Sequence, residues 1–481
     1  MGDTLGEKLV KEGLITQPQV EKALLRQKHH GGRLGHNLIS LGFLSKDDLD
    51  AYFRHRPPVP KTVEETGLSL EFISSLALKV IFYLNNFNIF EVSDKLKLPV
   101  NIVDAAIQSL RQEKFCEVKG GTGYESVTYM FNISATGRQR AMEILEQNHY
   151  VGPAPVTLDD YTRIFEYQTV KNVFISEPEV RKAFSPFVIN EGLFNQLGPA
   201  VNSGKSIFLY GPPGNGKTVI AEAIGTLMGD DIYIPHTVAV EHEIIRVFDP
   251  INHKSIKEIP EYDLARHGGE PGDETHEFDQ RWVLCRRPVV LVGGELTLGM
   301  LDLEFNAIYK YYEAPFQMKA NGGVFIIDDF GRQMVRPRDL LNRWIVPLER
   351  RTDFLTLHTG KKFEIPFDQL VIFSTNIEPR ELVDEAFLRR IRYKVKIDHP
   401  EKGEYKEIFR RICENNGIEY RDDVVEYLLN EYYDKTGVEL NACHPRDVID
   451  QIIDIARYKK ITPTLTKEML DDAWRNYFVD V

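Results

Sequence analysis

A chain of 481 residues is too long for one hydrophobic core, so two to four folding units are expected. The net charge of −13, from 59 Lys and Arg against 72 Asp and Glu, argues against nucleic acid as a bulk partner and leaves only a local basic patch for that role. Four scattered cysteines without a Cys-x-x-Cys pair give no zinc signature, no apolar run is long enough to cross a bilayer, and the first residues lack a leader pattern; a cytoplasmic location without membrane insertion is expected.

The chain begins with a tandem repeat. Leu5-Gly6-x-x-Leu9-Val10-x-x-Gly13-Leu14-Ile15 returns as Leu34-Gly35-x-x-Leu38-Ile39-x-x-Gly42-Phe43-Leu44, and Val20, Leu24 and Gln27 are matched by Leu49, Phe53 and Arg56. Each unit reads as helix, glycine turn, helix. Gly13 and Gly42 fall where a helix C-cap needs a left-handed residue. Ser45 reads as an N-cap, with Asp48 three residues on. Such a pair must stack to bury its apolar faces. The pattern resembles the MshEN-type domain at the N-terminus of type II secretion and type IV pilus assembly ATPases. The resemblance implies cyclic di-GMP along the glycine turns, with Leu5, Gly6, Gln27, Arg33, Leu34 and Gly35 at matching positions. Thr4 replaces the family's first Arg and Arg56 its second Gln, so a docking module that has lost the nucleotide is the other reading.

Arg56-Pro57-Pro58-Val59-Pro60-Lys61 is a proline-rich break, expected as an extended linker over residues 58–66. Helices are expected over 68–84, 89–96 and 101–113, the last with Asn101 as N-cap. Strands at 115–118 and 127–131 and a helix over 134–147 follow. This order resembles a winged helix over 67–150. Its third helix offers Gln108, Arg111 and Lys114 but also Asp104 and Glu113. With no positive stripe, a protein-interaction or spacer role is favoured over DNA contact.

Ser206 to Tyr210 is a strand-like run. It leads into Gly211-Pro212-Pro213-Gly214-Asn215-Gly216-Lys217-Thr218, which fits G-x-x-x-x-G-K-[ST] and precedes a helical stretch. The glycines let backbone N–H groups close on phosphate oxygens, and the helix N-terminus adds positive dipole. Lys217 is expected on the β- and γ-phosphates and Thr218 on Mg²⁺. The apolar run Val324 to Ile327 ends in Asp328 and Asp329. Asp328 is expected to hold Mg²⁺ through water, and Asp329 to orient and activate the attacking water. A third strand, Leu370 to Thr375, ends in Asn376. Arg389, Arg390 and Arg392 cluster further on, and Arg446 lies in the first turn of a late helix. A cation is unfavourable there, so it needs another partner.

This ordered set resembles the AAA+ ATPases over residues 160–481. By that resemblance 211–218 is Walker A, Asp328-Asp329 is Walker B, Asn376 is sensor 1, Arg389 and Arg390 are the arginine-finger pair, and Arg446 is sensor 2. The implied fold is α/β: an AAA+ P-loop core with a parallel sheet (151–398) and a C-terminal helical lid (399–481), preceded by the helical repeat (1–57) and the winged-helix-like α+β domain. A finger acts on a neighbour's γ-phosphate, so a ring of copies is implied, most often a hexamer. Walker B ends Asp-Asp where the family has Asp-Glu. That departure keeps a non-hydrolysing scaffold open beside the ATPase reading.

The segment 231–322 is long for its place. It holds a glycine-bearing acidic loop, 266–274, and Tyr309-Lys310-Tyr311-Tyr312, read as part of an amphipathic core helix with Tyr311 as the alternative substrate-gripping aromatic. Alternation over 353–365 around His358-Thr359-Gly360 predicts a hairpin, which resembles the MoxR-type branch. The expected function is Mg-ATP hydrolysis that remodels a protein partner, gated by cyclic di-GMP. The alternatives are an ATP-dependent DNA-binding regulator and the scaffold.

Overall fold

The computed structural model describes residues 6, 9–10, 13–30, 34–45, 48–49, 56–121, 129–229, 231–256, 278–382 and 385–478. Among these, five strands form a parallel sheet: β1 (Ile207–Tyr210), β2 (Val289–Val292), β3 (Val324–Ile327), β4 (Leu370–Thr375) and β5 (Tyr393–Lys396). Their order in space is β2-β3-β4-β1-β5. Every residue of β3 and β4 is buried, because both faces of the sheet are covered. Val324 and Ile326 join Leu197, Ile220 and Ile224 on one face. Phe325 and Ile327 join Phe208, Trp344 and Phe373 on the other. Helix α1 (Lys217–Leu227) covers the first face; α2 (Pro337–Arg350) buries Leu340, Leu341 and Trp344 on the second. The expected α/β core with a parallel sheet is present.

A second β layer fills the long segment between α1 and β3. Asp231–Pro235 pairs antiparallel with Trp282–Arg286. Glu304–Asn306, Tyr311–Glu313, Glu243–Arg246, Thr237–Val240 and Val156–Thr157 make a five-stranded sheet. The predicted hairpin is there, Thr352–Thr356 against Lys362–Pro366. The helix expected around Tyr309–Tyr312 is not. Tyr311–Glu313 is a strand, in which Tyr312 is buried in the layer's core and Tyr311 turns the other way, as a period of two requires. The Tyr311 ring packs edge-on against Tyr150, 5.7 Å between centroids, so it is committed to an internal contact and is not a free gripping residue. The 266–274 loop lies outside the described residues.

Upstream, helices Leu70–Leu84, Ile89–Leu96, Val100–Gln112 and Ala135–Gln147 pack with a three-stranded antiparallel sheet of Asn86–Phe87, Tyr129–Ile133 and Cys116–Gly121. Asn101 is not the N-cap of the third helix, which starts one residue earlier behind Pro99. Its amide instead donates to Lys61 O at 2.7 Å. The proline-rich stretch is therefore not a free spacer. Asp279 donates its N–H to Pro57 O (2.9 Å), and Arg281 reaches Thr66 O (3.0 Å) and Pro155 O (3.1 Å).

In the N-terminal repeat, Gly13 and Gly42 are left-handed, φ 74° and 67°. Gly13 N–H donates to Val10 O and Leu14 N–H to Leu9 O; Gly42 to Ile39 O and Phe43 to Leu38 O repeat the pair. Gly6 and Gly35 allow close packing: a Cβ would lie 2.6 Å from Val20 and 2.9 Å from Leu49. Asp48 N–H donates to Ser45 Oγ at 2.9 Å, as the cap predicts. His36 stacks on Phe174, 4.3 Å between centroids, which ties the repeat to the chain ahead of β1.

At the other end, Lys402–Asn415, Asp422–Leu428, α3 (His444–Lys459) and Lys467–Tyr477 bundle around Phe409, Leu428, Ile452 and Leu470. No helix among the described residues is long and apolar enough to cross a membrane.

Candidate nucleotide-binding site

Because β1 lies between β4 and β5, the strand order reverses at its carboxyl end, where open α/β sheets leave a crevice. The chain leaves β1 through a loop with Gly211, Gly214 and Gly216 at φ 135°, 77° and 81°. Gly211 is also forced by space, since a Cβ would stand 2.1 Å from Ile397 O. Gly216 is the N-cap of α1. Lys217 folds back over the loop and donates to Gly211 O (3.0 Å) and Pro212 O (2.8 Å). Burial pushes its ammonium below the ordinary lysine value, against the pull of Asp328 and Asp329.

Thr218 Oγ1 donates to Asp328 Oδ2 at 2.7 Å, which joins the first turn of α1 to the end of β3. Asn376, past the end of β4, donates its amide to Asp329 Oδ1 at 3.4 Å. The turn after β3 is pinned to β4 by Phe330 N–H to Ser374 O (2.7 Å) and Thr375 Oγ1 to Phe330 O (2.6 Å). Asp329 has a left-handed backbone, φ 48°, which Asp adopts more readily than Glu. Lys217, Thr218, Asp328, Asp329 and Asn376, far apart in sequence, thus meet at one edge of the sheet.

The arginines separate. Arg389 is exposed, with a 3.4 Å contact to Glu385. Arg390 is held by Glu349 of α2 at 2.5 Å, an ion pair that must break before it acts elsewhere. Arg446 is exposed in the first turn of α3, and Asp447 at 3.5 Å supplies the partner its position demands. In the repeat, Gly6 and Gly35 are buried, Leu34 packs on the small core and Gln27 is half-buried; Leu5 and Arg33 lie outside the described residues.

Sequence reasoning named Asn215 as part of the loop but missed its contact to Asn441, and it missed Gln333. Gln333 braces the Asp328 turn: its amide donates to Asp328 O (2.7 Å) and its oxygen accepts from Gly331 N–H (2.8 Å). Asn215 and Asn441 join the loop to the lid: Ala442 N–H donates to Asn215 Oδ1 (2.9 Å), and Asn215 Nδ2 to Asn441 Oδ1 (3.3 Å). A glutamine in a turn and a distant asparagine carry no signal in one sequence.

The donor set fits Mg-ATP. It combines a glycine loop that exposes N–H groups at a helix start, a desolvated ammonium, and a hydroxyl–carboxylate pair of the kind that holds a hard cation. A parallel sheet in this order, with the Thr218–Asp328 pair beside Asp329 and Asn376, decides the fold. The core is a P-loop α/β fold.

Comparisons extend this picture. Residues 401–476, most of the C-terminal helical bundle, match a family described as a domain of unknown function (DUF8689). Over 287 residues the chain is 22% identical to the proteasome-activating nucleotidase of Methanocaldococcus jannaschii, covering 56% of this chain and 63% of that one. Over 110 residues it is 28% identical to the vesicular-fusion protein sec18 of Schizosaccharomyces pombe, covering 22% and 13%. The chain thus spans less than two thirds of the length of these curated relatives. Among solved structures, NtrX of Brucella abortus in complex with ADP aligns over 60% of this chain and 56% of its own at 16% identity, TM-score 0.36. The RuvB Holliday junction branch migration motor of Thermotoga maritima aligns over 65% and 73% at 14% identity, TM-score 0.33.

Proposed function

We propose that this chain hydrolyses Mg-ATP in a ring of its own copies and uses the cycle to remodel a protein partner. The observation that carries the reading is the joined pair of contacts at the sheet edge, Thr218 to Asp328 at 2.7 Å and Asn376 to Asp329 at 3.4 Å. Lys217 and the loop N–H groups would hold the phosphates, and Thr218 with Asp328 would hold Mg²⁺. When bound, Mg²⁺ would offset the negative charge of the phosphates. Asp329 orients the attacking water and draws on its proton, and Asn376 keeps that carboxylate aimed. Arg389 of an adjacent copy stabilises charge on the γ-phosphate. A proteasome-activating nucleotidase and a vesicular-fusion protein among the relatives support a protein substrate.

The domain division that accompanies this reading is a helical repeat (1–57), a linker (58–66), a winged-helix-like domain (67–150), an AAA+ core (151–398) and a lid (399–481). The winged-helix-like part acts as a spacer docked on the second β layer through Tyr150 and Tyr311. The hairpin before β4 favours the MoxR-like branch. The repeat is the regulatory arm, with cyclic di-GMP as its ligand. The protein is assigned to the cytoplasm.

The test is phosphate release by the full chain at saturating Mg-ATP, with and without cyclic di-GMP. Turnover that requires Mg²⁺ is expected, with a rate that the dinucleotide changes. Turnover indifferent to the dinucleotide would remove the gating role and leave the arm a docking module. ATP binding without turnover would replace the motor by a nucleotide-dependent scaffold.

A further inference from the structure

Helix α3 of the lid lacks a cap of its own. Cys443, at the N-cap position, makes no side-chain hydrogen bond to the helix backbone. Helix N-termini leave N–H groups that need acceptors. Here the P-loop meets the two N–H groups at the helix entrance, Gly214 O accepting from Cys443 N–H (2.9 Å) and Asn215 Oδ1 from Ala442 N–H (2.9 Å), while Asn441 O accepts from His444 N–H (3.1 Å). Gly214 permits the approach, since a Cβ there would lie 2.7 Å from Cys443 Sγ.

A side-chain chain runs on from this cap into the lid core. Asn215 Nδ2 donates to Asn441 Oδ1 (3.3 Å), Asn441 Nδ2 meets His444 Nε2 (3.2 Å), His444 Nδ1 meets the Tyr433 hydroxyl (2.9 Å), and that hydroxyl meets Tyr405 (2.9 Å). Asn215, His444, Tyr433 and Tyr405 are buried. The backbone N–H of Ala442 can only donate, and this fixes every link after it. Asn215 must turn its oxygen to Ala442 and its NH₂ to Asn441. Asn441 must then offer its NH₂ to His444, whose Nε2 accepts and whose Nδ1 carries the proton. Reversing any one amide would set donor against donor in a dry site. Burial, assisted by His399, keeps the ring neutral against the opposing pull of Asp447.

We propose that the P-loop is the N-terminal cap of the lid helix, and that Asn215, Asn441 and His444 are positioning residues through which a seated lid holds the loop in its phosphate-binding shape. The proposal rests on the ATP-binding reading above. Its test is chosen to separate the two.

His444→Phe keeps a ring against Tyr433 and Phe478 but removes the acceptor. Two readouts are taken on the full chain. The first is maleimide labelling of Cys443, which needs no nucleotide; the other three cysteines are buried. The second is steady-state kinetics with Mg-ATP. His444→Phe is expected to speed Cys443 labelling about five- to tenfold and raise KM by a similar factor, with kcat within about twofold. Asn441→Leu should do the same, and the double variant should be no worse than either single, because both break one chain. His444→Gln, whose amide oxygen accepts from Asn441, should recover most of the loss.

Unchanged labelling and KM in a folded His444→Phe protein would overturn the proposal, as would fully additive losses in the double variant. If His444→Phe does not fold, Asn441→Leu, at a half-buried position, decides on the same criteria. Faster labelling in a protein that binds no ATP would uphold the cap and reject the ATP reading.

Discussion

Asp329→Asn lowers kcat for ATP by about 100-fold or more and leaves KM within about threefold. On the proposed function the carboxylate orients the water and draws on its proton, while Lys217 and Thr218, proposed to hold the phosphates and Mg²⁺, stay intact. Asn is the informative replacement because position 329 has a left-handed backbone, φ 48°, that Asn tolerates as well as Asp and most residues do not. The change keeps an oxygen to accept from Asn376 at 3.4 Å and removes one of the two charges that act on Lys217. Steady-state kinetics with a thermal melt as control checks it. A variant with wild-type kcat, or one whose loss lies only in KM, would remove Asp329 from the chemistry.

Arg281→Leu destabilises the protein by about 3–5 kcal/mol, the range for breaking a buried ion pair from one side. Arg281 and Asp279 are each 3% exposed and 2.7 Å apart. Arg281 also satisfies the carbonyls of Thr66 and Pro155, so its loss leaves a buried carboxylate and two acceptors without their donor. This residue clamps Thr66 and Pro155, just ahead of the strand Val156–Thr157, to the start of the strand Trp282–Arg286. Adding Asp279→Asn should recover part of the loss, since the uncompensated charge is then gone. Urea unfolding measures both. A cost below about 1 kcal/mol for Arg281→Leu would show that the clamp is not structural.

What could be read from the chain follows the range of the physics. Gly13, Gly42, Gly211 and Gly216 are needed by backbone conformation at their own positions, and local spacing exposes them. The apolar runs of β1, β3 and β4 are legible because strands buried on both faces leave no room for polar residues. The predicted hairpin alternates over a few residues. Tyr311 was misread because a cluster of tyrosines satisfies a helix face or a strand equally, and the pairing of its strand with Glu243–Arg246, through Tyr312 and Glu313, is long-range. The reach of Arg281 to Thr66, of Arg390 to Glu349 and of Asn215 to Asn441 joins residues far apart in sequence, and no local rule encodes such contacts. The proline-rich stretch has the composition of a linker, but its docking depends on partners more than 200 residues away. The glycine loop, the strands of the core and the carboxylates at the end of β3 were therefore legible, and the long-range contacts that brace them were not.

The account stands most directly on a mixing experiment. Lys217→Ala removes a chain's own phosphate site but keeps its Arg389; Arg389→Ala keeps the site and loses the exposed arginine. Phosphate release is measured for each full-length variant alone and for the two mixed at equal concentration. Each alone should fall at least ~100-fold below wild type. The mixture should exceed the sum of the two, because some neighbours then pair an intact P-loop with an intact arginine. A mixture that equals that sum, with Arg389→Ala alone turning over at the wild-type rate, would contradict hydrolysis between adjacent copies.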